Sequence, residues 1–323
     1  KSVEFFNKQI AQITFLLCYF NPIFFGHMAI NSMDTIVAFA NIWWFYTVLR
    51  YFKYQQDKQR KNNYVIFSAL LLGLGLGIRY TFLLTLVPIF LFIILEIFYF
   101  KIFISKKFSK KLFIKDAFII LVVAYFIMVL FWPETHSNIF LMPIKLAIEG
   151  LSTGFGPPFI LYEEEIFLPN KLPSSYILVN LLYKMPEFII LSFIAFICFF
   201  FKMVSYFKNK FKGFKFKIFT IFIILIFPNI LLLVNPWGLY DGIRLFLYLI
   251  PFICIVPAIL FFFLYKMING NLYKLTLSCF VFLQLFFCLP TARHIPLPAH
   301  HASGHDAHAW SSPSNSPAGH AVH

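Results

Sequence analysis

Long hydrophobic runs with no polar face constrain this chain more than any other feature. Examples are FIILSFIAFICFFF (188–201) and IFTIFIILIFPNILLLV (218–234). A helix that is apolar on every side needs lipid or protein around it, and about 20 such residues cross a bilayer. Composition agrees, since 60% of the residues are hydrophobic and 12% are charged, against roughly half and a quarter in a soluble domain. The sequence therefore predicts an all-α fold, a polytopic transmembrane helical bundle.

The hydrophobic runs predict about nine spans within a transmembrane domain that covers residues 1–289. Several runs are shorter than the roughly 20 residues of an ideal span, which is tolerated where neighbouring protein covers the helix ends. The predicted spans are 9–21, 35–50, 64–78, 81–100, 117–132, 187–201, 218–235, 245–265 and 275–289.

Lysine and arginine alternate between the two sides of these spans. The segments 1–8, 50–63, 101–115, 202–217 and 266–274 hold 21 of the 27 Lys and Arg residues. The positive-inside rule makes these segments cytoplasmic. The expected location is therefore a bacterial inner membrane, with the opposite, outer side facing the periplasm. The net charge of +14 is thus explained by loop charges, and no nucleic-acid partner is expected.

Three regions stand apart from the spans. The outer segment 133–186 is long and rich in aliphatic and aromatic residues, which favours interfacial helices over disorder. The tail 290–323 has no Phe, Tyr or Lys and carries seven of the nine His. That composition is typical of a disordered tail or an assembly artefact, with adventitious metal binding as an alternative. The N-terminus has neither an initiator Met nor a signal-peptide pattern, so we expect a fragment.

The stretch Asn21–Asp34 is a polar interruption whose one charged residue is Asp34. A carboxylate at a membrane boundary is costly without a partner, so it indicates a functional site. A general base, a metal ligand and a helix N-cap are all open for Asp34. His27 precedes it and is a candidate ligand or an ordinary loop residue.

Two arginines fall on the same outer side. Arg79 ends the glycine-rich stretch 73–81, which favours close helix packing over nucleotide binding because no strand precedes it. Arg79 suits a phosphate, a carboxylate or a snorkelling position. Asp241 and Arg244 lie three residues apart, which favours either a local ion pair or an arginine directed at phosphate.

The end of the long outer segment adds further donors. Lys171, Tyr176 and Lys184, with Ser174 and Ser175, supply cations and hydroxyl groups near the membrane surface. This mix suits an anionic lipid headgroup, and an aromatic belt with snorkelling lysines is the alternative. The five cysteines all lie in apolar runs without metal-ligand spacing, so they are predicted to be packing residues.

Three segments resemble GT-C-type membrane glycosyltransferases, in particular bacterial relatives of protein O-mannosyltransferases and aminoarabinose transferases. The segments are GHMAINSMDT (26–35), LPNKLPSSYILVNLLYKMP (168–186) and YDGIRLFLYLIP (240–251), in the family's order. The similarity spans roughly residues 9–265. Two positions depart from the family pattern, with Met33 in place of a basic residue and Leu245 in place of His.

The resemblance implies transfer of a sugar from a polyprenyl-phosphate donor to a protein, lipid or envelope acceptor on the outer face. It implies that the principal catalytic aspartate lies upstream of residue 1. Asp34 would then be a second acid of the catalytic site, and His27, Arg79, Lys171, Tyr176, Lys184, Asp241 and Arg244 would bind substrate. No cofactor and no resident metal are expected, although a divalent metal stays open. Partners would be the lipid-linked sugar, membrane lipids and an unknown acceptor.

Two other classes of function are open at this stage. A transporter or lipid flippase would explain the spans and their charges, although no inverted repeat is visible. A non-catalytic subunit of an envelope complex is the third class. Polar groups concentrated on one outer side favour surface chemistry over transport.

Overall fold

A computed structural model of the chain describes residues 5–30, 32–79, 81–153, 160–162, 165–168, 171–234 and 244–267. Asp241, the predicted span 275–289 and the tail 290–323 lie outside the described residues.

The described chain is mostly helical, as predicted. The first half holds α1 (Lys8–Tyr19), α2 (Pro22–Ile30), α3 (Ser32–Tyr54), α4 (Lys58–Ile78), α5 (Phe82–Leu95), a π-helical turn (Glu96–Phe100), α6 (Lys110–Phe131) and a 3₁₀ turn (Pro133–Ser137). The second half holds α7 (Met142–Thr153), the strands β1 (Ile160–Tyr162) and β2 (Glu165–Phe167), α8 (Tyr176–Lys184), α9 (Glu187–Phe207), α10 (Phe214–Val234), a 3₁₀ segment (Arg244–Leu249), α11 (Ile250–Ile253) and α12 (Ile255–Met267).

Six described helical segments are long and apolar enough to cross a membrane, or seven if the bent pair α1–α2 counts as one span. The prediction of several spans is confirmed at this coarser level, and the count of nine is not. Helix α3 has the length of a span but is less apolar than the six, because Trp, Tyr and Asn occupy part of it. The predicted span 9–21 corresponds to α1, which meets α2 at an angle of 60°.

Polar side chains at helix starts explain several boundaries. Asn7 accepts a hydrogen bond from the Ile10 backbone N–H at 2.8 Å and begins α1. The Asp57 side chain accepts a hydrogen bond from the Arg60 backbone N–H at the start of α4. The Ser109 side chain accepts one from the Leu112 backbone N–H at the start of α6. Each cap satisfies a backbone N–H that has no partner within its own helix. These three helix starts therefore follow from local sequence.

Glycines bring α4 close to α6. A Cβ atom added at Gly73 would lie 2.6 Å from Ile127 Cβ and 2.8 Å from the Ala124 carbonyl oxygen, and one at Gly77 would lie 2.9 Å from Phe131 Cβ. Such distances are too short for carbon atoms, so only glycine permits this approach. The sequence prediction that the 73–81 glycines serve helix packing is confirmed.

We expect Gly73→Ala to destabilise the protein by about 1–3 kcal/mol, since the added methyl group must displace backbone and side-chain atoms of α6. The matched control is Gly26→Ala, because a Cβ at Gly26 meets nothing within 4 Å. There the higher helix propensity of alanine should stabilise by up to about 1 kcal/mol. Thermal midpoints in detergent measure both. Equal midpoints for the two variants would show that α4 and α6 are not in close contact.

A buried carboxylate joins three helices on the side of the lysine-rich loops. Asp116 of α6 accepts hydrogen bonds from the Tyr51 hydroxyl at 2.8 Å and from Lys61 Nζ at 3.2 Å. Gln55 donates to the Tyr51 hydroxyl and to the Ser109 carbonyl. The network ties α3, α4 and α6 together where their apolar parts end.

The long outer segment contains helices α7 and α8 and the hairpin of β1 and β2, in which Leu161 pairs with Ile166. Tyr162, Leu172, Tyr176 and Ile177 form a second small core there. Its edge reaches Leu245 and Phe246, which directly follow Arg244. Helices within 133–186 were predicted and are observed, and their position at the membrane surface stays a prediction.

Candidate functional site

Asp34 joins two arginines that are distant in sequence. Its Oδ1 lies 3.2 Å from Arg79 Nη1, and its Oδ2 accepts a hydrogen bond from Arg244 Nε at 3.1 Å. Both carboxylate oxygens are therefore engaged by different guanidinium groups. Three of the residues predicted from separate outer stretches are thus brought into one cluster, which we call the outer charge cluster.

Burial makes these contacts strong. The Asp34 side chain is 3% exposed, and those of Arg79 and Arg244 are 17% and 32% exposed. A buried carboxylate must be paired, because removing it from water costs several kcal/mol that its partners have to offset. Arg79 and Arg244 satisfy that need. Their partial exposure also leaves surface through which a ligand can reach them.

The local structure of each segment positions these side chains. Asp34 lies in the first turn of α3, where a negative charge is favoured by the helix dipole. Arg79 follows the end of α4 in an extended conformation, and its N–H bonds the Gly75 carbonyl. Arg244 begins the 3₁₀ segment, which packs along α3. The cluster therefore lies where three chain segments end on the same side of the bundle.

Lys184 and His27 complete the outer charge cluster. Lys184 is the last residue of α8, and His27 lies on α2. His27 is close enough to Lys184, Asp34 and Arg244 for their charges to act on its ring. Its Nδ1 is buried and has no hydrogen-bond partner among the described residues. Arg79 and Arg244 thus share the Asp34 carboxylate, and Lys184 lies near His27, so that positive charges outnumber negative ones among the described residues of the cluster.

Two other predicted substrate-binding residues are placed differently. Tyr176 is 1% exposed and its ring packs at a tilt against that of Tyr162, with centroids 5.1 Å apart, so it is part of the second small core. This burial disagrees with its predicted role as a surface donor, because the hairpin covers its ring. Lys171 is exposed, and within the described parts of the chain no hydrogen bond or ion pair joins its side chain to the outer charge cluster. The prediction for Asp241 lies outside the described residues.

No group of three His, Cys, Asp or Glu side chains with the geometry of a metal site occurs in the part of the chain that the structure describes. The possibility that Asp34 ligates a metal is not supported by its surroundings, since its partners are two cations. The donors of the outer charge cluster are nitrogen groups that carry positive charge. This set suits an anion such as phosphate or carboxylate.

Sequence reasoning missed the link between Asp34 and the two arginines. Arg244 was predicted to pair with Asp241 or a phosphate, and Arg79 with a phosphate or an unnamed carboxylate, whereas the structure gives both arginines the carboxylate of Asp34. One available signal was the charge map, which placed all three residues on the same outer side. Sequence reasoning also missed Asn21, which is fully buried and accepts hydrogen bonds from the Ile23 and Phe24 backbone N–H groups at the start of α2.

No family model, curated protein or solved structure matches this chain at a significant level.

Proposed function

We propose that the protein is an integral membrane glycosyltransferase that transfers a sugar from a polyprenyl-phosphate donor to an acceptor on the outer face. The observation that carries the proposal is the pairing of Asp34 with both Arg79 and Arg244 at one end of an apolar helical bundle. The family resemblance of the three segments supports it. Asp34 and Arg244 belong to two of those segments, and Lys184 belongs to the third.

In this proposal, the outer charge cluster binds the phosphate of the lipid-linked donor. Among the described residues of the cluster, Arg79, Arg244 and Lys184 carry three positive charges, and Asp34 carries one negative charge. A phosphodiester brings one further negative charge, and guanidinium groups match phosphate oxygens in geometry. The polyprenyl tail would lie along the apolar surface of the spans. No soluble nucleotide-binding domain is needed for such a donor.

The chemistry follows from where charge develops. The acceptor's oxygen or nitrogen forms a bond to the anomeric carbon while the bond from that carbon to the phosphate oxygen breaks. The electron pair of the broken bond stays on the lipid phosphate, whose negative charge rises from one to two. Prepositioned cations stabilise that charge most in the transition state, which is how they accelerate the step. The acceptor's proton passes to a base, for which the resemblance implies an upstream aspartate.

Asp34 has a defined part in this scheme. Its two oxygens hold Arg79 and Arg244 in fixed positions, so that neither arginine must be ordered when the donor binds. Removing a proton from the acceptor would require one of these oxygens to leave its guanidinium partner. We therefore assign Asp34 to positioning the phosphate-binding groups, in place of the general-base role that the sequence alone left open.

Lys184→Gln tests the phosphate-binding role. We expect polyprenyl phosphate to bind about tenfold more weakly to this variant, since Lys184 is exposed and its charge-assisted contact should contribute near the lower end of roughly 1.5–3 kcal/mol. Transfer from a polyprenyl-phosphate sugar should fall by at least the same factor. The matched control is Lys145→Gln, which removes an exposed lysine that forms a weak pair with Glu149 at 3.8 Å. Unchanged binding in Lys184→Gln would remove Lys184 from the site.

A further inference from the structure

A π-helical turn ends the fifth helix on the side opposite the outer charge cluster. The turn spans Glu96–Phe100, and Lys101 follows it in a left-handed conformation with φ of 48°. Glu96 is fully buried and accepts hydrogen bonds from the Phe103 and Ile104 backbone N–H groups. These contacts fold the chain back on itself directly after the turn. Isolated π-helical turns inside helices are frequent at functional sites.

The fold of this turn leaves three consecutive aromatic side chains on the surface. Phe98, Tyr99 and Phe100 are 59%, 74% and 46% exposed. They end a segment that is apolar enough to cross the membrane. Aromatic side chains at such an end lie at the level of lipid headgroups, where one part of the ring is apolar and the other is wet. The turn therefore marks the boundary between hydrocarbon and water on this side.

Lysines surround the same turn. Lys110 Nζ lies 4.4 Å from the centre of the Phe98 ring. The Phe100 ring stacks on Phe216 with centroids 3.9 Å apart, which brings the loop before Phe216 next to the turn. That loop contains Lys212, whose charge acts on Glu96. Lys101, Lys110 and Lys212 are all exposed, so their ammonium groups lie in water around the three rings.

These lysines belong to a larger surface, which we call the basic face: the exposed Lys and Arg of segments 53–60, 101–115 and 202–215. The segment 101–115 is in contact with both of the others. Gln56 donates to the Lys107 carbonyl, and a Cβ at Gly213 would touch Ile102. Asp57 is the only acidic residue in these segments, and it pairs with Arg60 at 3.1 Å. The basic face thus has a large excess of positive charge.

We propose that the π-helical turn and the lysines around it form a binding site for an anionic phospholipid of the adjacent leaflet. The phosphate would contact Lys101, Lys110 and Lys212, and the acyl chains would contact the rings of Phe98 and Tyr99. Lipid is favoured over a soluble acidic partner because the cations lie next to exposed aromatic rings at a span end. A polar partner would leave those rings uncovered. This inference does not depend on glycosyl transfer, since the two sites lie at opposite ends of the spans.

The experiment uses the protein reconstituted in phosphatidylcholine bilayers with spin-labelled phosphatidylglycerol or spin-labelled phosphatidylcholine as the probe. Electron paramagnetic resonance gives the association constant of each probe relative to the host lipid. We expect a preference for phosphatidylglycerol of severalfold, which weakens as salt is added because exposed charges are screened. In the double variant Lys110→Gln, Lys212→Gln this preference should decrease. The loss of each lysine should lower the relative association constant of phosphatidylglycerol by at most about fivefold.

The matched control is the double variant Lys145→Gln, Lys171→Gln, which removes the same charge from exposed positions on the other side. It should keep the wild-type preference. Equal association of the two probes with the wild-type protein would overturn the proposal, and so would an equal loss in both double variants. Salt-sensitive binding of a soluble polyanion without any lipid preference would overturn it in favour of a protein or nucleic-acid partner. Sugar transfer, measured in parallel, reports separately on the proposed function.

Discussion

Replacing Arg244 by alanine is expected to lower sugar transfer from a polyprenyl-phosphate donor by about 10²–10³-fold, the cost of removing one prepositioned group that stabilises developing charge. Arg244 donates to Asp34 Oδ2 at 3.1 Å, and its side chain is 32% exposed. It is therefore both fixed in position and open to a ligand. The measurement is the transfer of radiolabelled sugar in membranes that contain the protein, with protein level checked by immunoblot.

The matched control is Arg60→Ala. Arg60 also pairs with an aspartate at 3.1 Å, but both side chains are about half exposed and lie on the basic face. Its loss should leave transfer within about twofold of the wild type, since exposed ion pairs contribute little. If Arg244→Ala and Arg60→Ala transfer sugar equally well, the outer charge cluster has no part in the reaction.

A companion variant, Asp34→Asn, separates two roles for the carboxylate. If Asp34 positions the arginines, the variant should change the KM for the donor as well as kcat, because Arg79 and Arg244 lose their common anchor. If Asp34 were the general base, kcat alone would fall and binding of polyprenyl phosphate would stay as in the wild type. An unchanged KM with a large loss in kcat would therefore contradict the positioning role.

Replacing Asp116 by alanine is expected to lower the free energy of unfolding by about 3 kcal/mol, near the lower end of the cost of breaking a buried ion pair. The change leaves Lys61, whose side chain is 17% exposed, and the Tyr51 hydroxyl without their carboxylate. Because Lys61 is partly exposed, water can solvate its ammonium group after the carboxylate is removed. The loss of stability should therefore lie at the lower end of the range for a buried ion pair. The midpoint of unfolding by sodium dodecyl sulfate, monitored by circular dichroism, measures this loss.

Asp57→Ala provides the comparison for Asp116. Asp57 is 43% exposed, pairs with Arg60 and caps α4. The loss of a cap and an exposed pair should cost about 1 kcal/mol. A loss for Asp57→Ala as large as that for Asp116→Ala would show that burial does not set the strength of the Asp116 network.

The helices of the bundle are largely predictable from sequence. The runs 64–78, 81–100 and 187–201 correspond to observed helical segments within a few residues at most ends, because lipid requires long apolar stretches with internally satisfied backbones. Which of these helices pack against each other is not predictable in the same way. A run that is apolar on every side carries no periodic signal for the face that meets another helix, except where glycine marks a close approach, as at Gly73.

The residues of the candidate site could be predicted from the sequence, but the pairs that they form could not. Charge counts predicted Asp34, Arg79 and Arg244 on one side, yet for Arg244 the short sequence distance favoured a local pair with Asp241. Pairing across 210 residues depends on how α3 packs against the 3₁₀ segment, which only three-dimensional structure supplies. The burial of Tyr176 was not predictable for a related reason, since only the three-dimensional structure shows that a hairpin covers its ring.

Buried ionic groups on the basic side were also missed. Asp116, Glu96 and Lys217 lie beside runs of lysine, and such runs are usually solvated. The structure buries all three, with Lys217 donating to the Phe5 carbonyl. Their role in holding helices together depends on neighbours that are far away in sequence.

The 60° bend between α1 and α2 determines where His27 lies relative to the other residues of the outer charge cluster. His27 lies five residues beyond Pro22, or about 7.5 Å along the axis of α2. A difference of about 10° in the bend would therefore shift His27 by about 1.3 Å and change the distances of its ring from Asp34, Lys184 and Arg244. Asn21 lies at the bend, is fully buried, and contacts Met185 Sδ through its Nδ2 at 3.7 Å. The position of His27 relative to the charged groups thus depends on the contacts of an uncharged residue.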